Sequence, residues 1–322
     1  VTEAQANPGF EVFKHVGIAV DPIHVGTGGA RLGRVDLSIV RDPVTRVPKI
    51  PGSSLAGVYR TYVAMAQEIK NPDRTVEGNR KPYYPDCAGL GQGRSDGSGG
   101  HCGQPDCPLC TAFGFARGSL GGFAGLAAFS DAQVLLFPVA TREGPVWVAS
   151  PMTLSLIGLE ASGIDEVAIY RMNPGEARLN LGWLYLPVRQ YPEAEEAKEK
   201  LGSLRVPDYI LGRLAIVADA LLSHVVNSNL EVRTSVSIDP DTGAAQDGAL
   251  FTYEALPRAT VLYWEVVCKD PKYFRVGGRV LGFRTIADIH RVAIEAHPYL
   301  EQLGVGGMGT RGMGRLKVLY PS

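Results

Sequence analysis

Val12-Phe-Lys-His-Val-Gly-Ile-Ala-Val20 is an apolar, valine- and isoleucine-rich run stopped by Asp21-Pro22, and it reads as a strand. The chain then turns through Gly26-Thr-Gly-Gly29, extends briefly around Val35–Val40, and reaches Pro51-Gly-Ser-Ser54. This punctuation ahead of Leu55, Val58, Tyr62 and Met65 predicts a helix capped by Ser53 or Ser54, with those four residues as its apolar stripe. The other end runs in reverse. A strand is predicted at Thr260–Val267, a helical stripe at Ile286, Ile289, Ala293 and Ala296, and a last strand at Arg315–Tyr320. The ends therefore read β–α and α–β. That order suits an α+β fold with a ferredoxin-like (RRM-like) core, the plan shared by RNA-recognition modules.

Between the ends, Leu126–Phe137, Val146–Ala149, Leu179–Leu186 and Arg213–Val217 are strand-like, and Pro151 opens a helix. Pro192–Lys200 reads as a charged, exposed stretch, Asp219 as the cap of a short helix Ala220–Val226, and Asp239-Pro-Asp-Thr-Gly243 as a turn suited to a hairpin tip. Residues 71–108 are rich in Gly, Pro, Asp and Arg and need a cross-link to be ordered. No tandem repeat is visible.

The 322 residues are 45% hydrophobic with a net charge of −1, an ordinary globular composition that lacks the bulk basic charge of many nucleic-acid binders. Cations cluster locally instead. Residues 31–60 hold six Lys/Arg against Asp36 and Asp42, and nine face four acids from Lys269 onward. Clusters of this kind matter more to phosphate binding than totals do, although most are simply solvated faces. No apolar run is long enough to cross a bilayer and no leader opens the chain, so the reading is no membrane and a cytoplasmic location.

Four of five cysteines fall within 87–110. Cys107-Pro-Leu-Cys110 is a knuckle offering two thiolates to one ion; Cys87 and Cys102 complete a tetrahedral set, with His101 as the alternate ligand. Four soft ligands suit a structural Zn2+; the other reading is a loop of reduced thiols. A zinc deaminase would need a histidine followed two residues later by a glutamate upstream, and here Cys102-Gly103 follows His101. Gly304, Gly306 and Gly309 have the spacing of a dinucleotide loop but sit after a helix and before a strand, the wrong order for one. With Arg311 and Arg315 they fit equally a phosphate-binding loop or a tight connection needing positive φ. Asp36, near Arg34 and Arg41, could hold a metal ion or orient a ribose hydroxyl, and taken alone reads first as a salt-bridged surface aspartate. His24 could be a general base, though an isolated histidine is more often structural. Ser53 has no histidine nearby in sequence to make it a nucleophile.

Several segments resemble one family. His24-Val-Gly-Thr-Gly28, Val35-Asp-Leu-Ser-Ile39 and Ile50-Pro-Gly-Ser-Ser-Leu-Ala-Gly57 are similar to the N-terminal signature of RAMP-superfamily proteins. Cys107–Gly114, Phe129–Ala132, Leu136–Val139, Asp247–Phe251, Glu254–Pro257 and Gly306–Gly312 resemble the backbone subunits of type III-B (Cmr) CRISPR effectors in particular. Ala56 stands where that pattern commonly has a lysine, and Arg41-Asp-Pro43 is closer to the sister subunits of type III-A (Csm) complexes. The resemblance implies a single RAMP domain over 1–322, with a ferredoxin-like palm, an inserted zinc-stabilised loop at 71–125, and a β-hairpin thumb with associated insertion at about 160–255. It implies binding of CRISPR RNA (crRNA) and target RNA, other Cmr subunits, and further copies of the chain in a filament. RNA contacts would come from His24, Gly26, Arg41, Lys49, Gly52, Ser53, Ser54, Arg60, Gly307, Thr310, Arg311 and Arg315. Asp36 takes the place of the family's cleavage carboxylate, in an endoribonuclease reaction dependent on Mg2+ or Mn2+. The alternative is a non-catalytic RNA-binding backbone subunit.

Overall fold

The computed structural model describes residues 8–28, 35–89, 100–116, 121–246 and 250–320. They form a mixed α+β, sheet-rich fold whose contacts divide into two compact units. The first contains the chain up to His15, Pro51–Asp131 and Trp264–Leu300; the second contains Val16–Ile50, Ala132–Tyr263 and Glu301–Ser322.

The first unit is organised on the helix Gly52–Lys70. Leu55, Tyr59 and Val63 recur every fourth residue and are fully buried. The stripe is offset from the expected one: Val58, Tyr62 and Met65 are only half-buried, with Tyr62 stacked on Tyr299 at 5.7 Å. The cap also differs. Pro51 precedes the first turn, so Ser53 and Ser54 already lie inside the helix and neither caps it. Asp131 supplies an acceptor instead, its Oδ1 taking the Gly52 N–H at 2.8 Å. Gly52 is required by space, because a Cβ there would lie 2.4 Å from the Phe129 carbonyl oxygen. Leu126–Phe137 proves to be two strands, Ala127–Phe129 and Ala132–Thr141, separated at Ser130-Asp131. Ser130 fixes the break, its hydroxyl accepting the Glu265 N–H at 2.8 Å and its own N–H reaching the Glu265 carbonyl at 3.0 Å.

Three histidines meet in the interior of this unit. The His15 ring lies 5.3 Å from that of His290, 5.5 Å from that of His297 and 5.4 Å from that of Trp264. His297 Nε2 pairs with the Tyr59 hydroxyl at 3.1 Å. Burial, and then the neighbouring His297 and His290, push His15 down to about 3; burial pushes His290 and His297 down to about 4. The unfolded chain takes these protons near pH 6.5, whereas the folded chain takes them only at about 4 for His290 and His297 and about 3 for His15. Stability should therefore fall as pH drops through that window, by up to about 1.4 kcal/mol per histidine per pH unit. Thermal melts between pH 7.5 and 4.5 should show this decline beginning below about 6.5; a flat melting temperature would contradict it.

In the second unit, strands hydrogen-bond in the order Leu316–Tyr320, Phe10–Ala19, Val261–Lys269, Ala132–Thr141, Gly144–Ala149, Leu214–Ile216, Ile169–Arg171, Leu184–Gln190 and Arg178–Leu181. Only Val16–Ala19 and Val261–Tyr263 of the two long strands belong to it. The first four strands, numbered along the chain, lie in the order 4-1-3-2. Leu135, Leu136, Leu154, Tyr191, Leu201 and Ile210 help to fill the core of this unit. The expected strand Leu179–Leu186 is a hairpin, with Leu181 opposite Leu184 and Gly182-Trp183 as a two-residue turn. Pro192–Lys200 is not merely an exposed stretch. It contributes to a helix, Ala194–Ser203, that buries Ala194, Ala197 and Leu201. Asp219 begins the helix Asp219–Ser228 rather than capping it, and its carboxylate accepts the Met152 N–H at 2.9 Å. Glu231–Ser235 and Phe251–Ala255 pair as an antiparallel ribbon. Beyond them lies the turn at Asp239–Gly243, closed by the Gly243 N–H to the Asp239 carbonyl at 2.8 Å. Among the described residues, no helix is long and apolar enough to cross a membrane.

Candidate nucleic-acid interface and metal centre

The cysteines of the first unit converge although 23 residues separate the first from the last. Cys87 sits on a short turn of helix, Cys102 on a loop, and Cys107 and Cys110 bracket the start of the helix Pro108–Phe113. All four are buried, and their sulfurs lie within 4.8 Å of one another. Cys102 Sγ is 3.7 Å from Cys110 Sγ, which is 3.9 Å from Cys87 Sγ. A disulfide would need about 2.05 Å, whereas sulfurs at about 2.3 Å from a tetrahedral ion stand roughly 3.8 Å apart. The donor set fits one structural metal ion. Hydrogen bonds from Cys107 and the other thiols hold Cys102 well below the usual thiol range, so the cluster favours a thiolate before any ion arrives.

Two arginines attend the cluster. Arg74 donates to Cys102 Sγ at 3.1 Å, and Arg60 donates to the carbonyls of Cys87 and Gly114, both at 2.7 Å. Arg60 also reaches His101 Nδ1 at 2.8 Å. His101 therefore stands beside the cluster, outside the set of four, and burial followed by Arg60 pushes it down to about 4. Arg60, read from sequence as an RNA contact, is half-buried and tied to this loop. Arg74 carried no recognisable signal.

The second unit gathers most of the remaining candidates. Asp36 is exposed between buried Val35 and half-buried Leu37. Its Oδ2 accepts the Thr252 N–H at 2.7 Å and the Thr252 hydroxyl at 2.9 Å, while the Asp36 N–H donates back to that hydroxyl at 3.2 Å. The Thr252 backbone N–H, then its hydroxyl, hold the carboxyl below the usual carboxylate range. No ion pair involves Asp36 among the described residues, so the salt bridge its flanking cations suggested is absent there; Arg34 lies outside them. Arg41 goes elsewhere. It binds Glu254 Oε2 at 2.8 Å, Asn227 Oδ1 at 2.7 Å and the Ile39 carbonyl at 3.0 Å. Lys49 pairs with Asp42 at 3.4 Å.

His24 is buried, its Nδ1 2.6 Å from the Glu254 carbonyl oxygen and its ring edge-on to Tyr253. Gly26 lies against it. The glycine loop folds back onto the same segment: the Gly307 N–H donates to the His24 carbonyl at 2.8 Å. A Cβ on Gly306, whose φ is +87°, would lie 2.3 Å from that oxygen. Close approach accounts for Gly306, as the tight-connection reading requires, while Gly307, Gly309, Thr310 and Arg311 remain exposed. Arg311 has no carboxylate partner among the described residues and lies 5.6 Å from the Phe251 ring, next to Thr252. Arg315 is bidentate to Asp21, at 2.5 and 3.0 Å. Ser53 is exposed and Ser54 half-buried, both in the first unit. The outcome is an exposed, ionised carboxylate that Thr252 holds through one oxygen and not the other.

A family model described as the RAMP superfamily matches residues 18–317. The CRISPR system Cmr endoribonuclease Cmr4 of Pyrococcus furiosus is 23% identical over 261 residues, covering 75% of this chain and 76% of that protein. The CRISPR system Cms endoribonuclease Csm3 of Mycobacterium tuberculosis is 48% identical over 42 residues, 13% of this chain and 18% of the relative. Among solved structures, a type III-B Cmr-beta complex bound to cognate target RNA contains a chain superposing with a TM-score of 0.61 at 16% identity, over 97% of this chain and 98% of the other. Oligomeric Cmr4 from Pyrococcus furiosus superposes with a TM-score of 0.58 at 17% identity, over 96% and 97%.

Proposed function

From the premise that this chain belongs to the RAMP superfamily, we propose that it is a crRNA-binding backbone subunit of a type III-B (Cmr) effector that cuts complementary target RNA. The observation carrying the cleavage reading is Asp36, exposed, ionised and fixed by Thr252 of a β-ribbon strand. The 4-1-3-2 strand order supports a ferredoxin-like palm, and the Glu231–Ala255 ribbon is assigned as the thumb. Copies of the chain stack along the guide with other Cmr subunits, and the cysteine set holds a structural Zn2+.

Cutting proceeds by attack of the ribose 2′-oxygen on the adjacent phosphorus. The 2′-hydroxyl gives up its proton to water, the bond to the 5′-oxygen breaks, and that oxygen takes a proton from water, giving a 2′,3′-cyclic phosphate and a 5′-hydroxyl. A divalent cation, when bound, would supply charge neutralisation at that phosphate. No second carboxylate joins Asp36 in a ready-made metal cage among the described residues, so such a cation would be held by Asp36, RNA oxygens and water. The non-catalytic reading draws on that same sparseness.

The guide backbone is assigned to the exposed loop Gly307–Arg311 and to the Pro51–Leu55 helix start. The loop offers the Arg311 cation and the helix start the Ser53 N–H and hydroxyl, since Asp131 already takes the Gly52 N–H; neither reads bases. Arg311→Ala should weaken guide binding several-fold and lower the salt slope by about 1. Arg315→Ala should do less to that slope, since Asp21 already neutralises this guanidinium. A filter-binding series in rising salt checks this; an unchanged slope for Arg311→Ala would remove the loop from the interface.

A further inference from the structure

We infer that Thr252 is a positioning residue for target cleavage, acting through Asp36. This rests on the reading of Asp36 as the cleavage carboxylate. Asp36 lies in an irregular segment with no regular strand to fix its side chain. Thr252 supplies that order from 216 residues away, from the end of the ribbon strand Phe251–Ala255 that faces the connecting turn. Its hydroxyl makes two bonds of opposite sense with one residue, accepting from the Asp36 N–H and donating to Asp36 Oδ2. A hydroxyl committed in both directions cannot rotate freely, so it fixes the plane of the carboxylate relative to the backbone. The backbone between the two segments is also laced: the Leu37 N–H donates to the Thr252 carbonyl and the Glu254 N–H to the Leu37 carbonyl, each at 3.0 Å.

The consequence is a division of labour between the two carboxylate oxygens. Oδ2 takes both Thr252 donors, while Thr252 makes no bond to Oδ1, which is the oxygen left to face RNA or a cation. Thr252 thus makes the residue directional, and ties that direction to the ribbon.

Valine at 252 preserves the branched shape and the backbone N–H but removes the hydroxyl; serine restores the hydroxyl without the methyl. In the complex assembled with guide RNA, Thr252→Val should lower kcat for target cleavage roughly 10-fold. KM and guide affinity should stay within about twofold, because the loss is in orientation rather than binding. Thr252→Ser should recover most of the rate. In an Asp36→Asn background, Thr252→Val should add little, since two residues acting as one unit are not additive. Equal damage from Val and Ser would assign the effect to ribbon packing and overturn the inference. A wild-type rate for Thr252→Val beside an inactive Asp36→Asn complex would overturn it while leaving the Asp36 reading standing. Undiminished cutting by Asp36→Asn itself would overturn both. If Thr252→Val fails to assemble, Thr252→Ser against the wild type decides: a kcat within about threefold is the expected result, and a 10-fold loss with the hydroxyl retained is the contrary one.

Discussion

Replacing Asp36 with asparagine is expected to lower target-RNA cleavage by at least about 100-fold, the lower end of what a positioned acid–base or metal-holding group contributes. The substitution is unusually clean in this geometry. Asparagine can place its carbonyl oxygen where Oδ2 now accepts the Thr252 N–H and hydroxyl, so the local hydrogen bonds survive. Its NH2 then occupies the position of Oδ1, exchanging an anionic acceptor for a neutral donor at the one oxygen not held by Thr252. Because Asp36 is exposed and joins no ion pair among the described residues, removing its charge leaves no buried cation orphaned. Guide loading, assembly and target binding should accordingly stay near wild type. The measurement is single-turnover cleavage of guide-complementary RNA by the assembled complex, beside a binding assay on the same preparation. Wild-type cutting by Asp36→Asn would transfer the chemistry to another group. If no single substitution in this chain altered cutting, the non-catalytic reading would stand. Undiminished wild-type cutting in excess chelator would remove the metal requirement alone.

What the sequence disclosed was mostly what is encoded locally. The four cysteines could be read as one ligand set because metal-binding turns have characteristic spacings, and the sulfurs do converge. Helix existence was legible from Leu55 onward, but the buried face was misplaced. A period of 3.6 is approximated by steps of three or of four, and the fold takes Leu55, Tyr59 and Val63. Leu179–Leu186 read as one strand because both arms of its hairpin are leucine-rich, and only Gly182 marks the turn. The ribbon strands Glu231–Ser235 and Phe251–Ala255 were missed as strands. Much of their length is only half-buried or exposed, so no strong alternation of apolar and polar residues marks them.

Long-range partners were illegible for a physical reason. Arg41 and Arg315 look in sequence like free cations near a candidate RNA surface. Glu254 and Asp21 neutralise them from 213 and 294 residues away. Thr252 meets Asp36 across a similar gap. A local window registers charge and spacing but cannot register which distant carboxylate or hydroxyl the fold delivers. The basic clusters along the chain therefore overstate the cations available to RNA. Arg311, without a carboxylate partner among the described residues, is the candidate that keeps that role most simply.

The cysteine centre should show the largest effect on stability. One zinc per chain is expected by elemental analysis, and Cys107→Ser should reduce it to a small fraction. Cys107 caps the start of the helix Pro108–Phe113, whose Cys110 is also in the set, so its loss opens the site at the knuckle. Structural zinc in small domains contributes about 10–16 kcal/mol of binding energy to folding. Here part of the surrounding structure is held independently, including the Arg60 bonds to the Cys87 and Gly114 carbonyls. Even a residual loss of about 2 kcal/mol would lower the melting temperature by roughly 5 °C for a unit of this size. Proteolysis should then begin within residues 71–116, where the polar sequence has little core of its own. Arg74→Ala should retain all four ligands yet weaken zinc roughly 10- to 100-fold, because it removes the donor to Cys102 Sγ. A chain that purifies without zinc, or that melts identically with and without chelator, would exclude the metal and leave four reduced thiols in a packed loop. Cleavage by the zinc-depleted assembly should fall only as far as folding does, since Asp36 and Thr252 lie in the other unit.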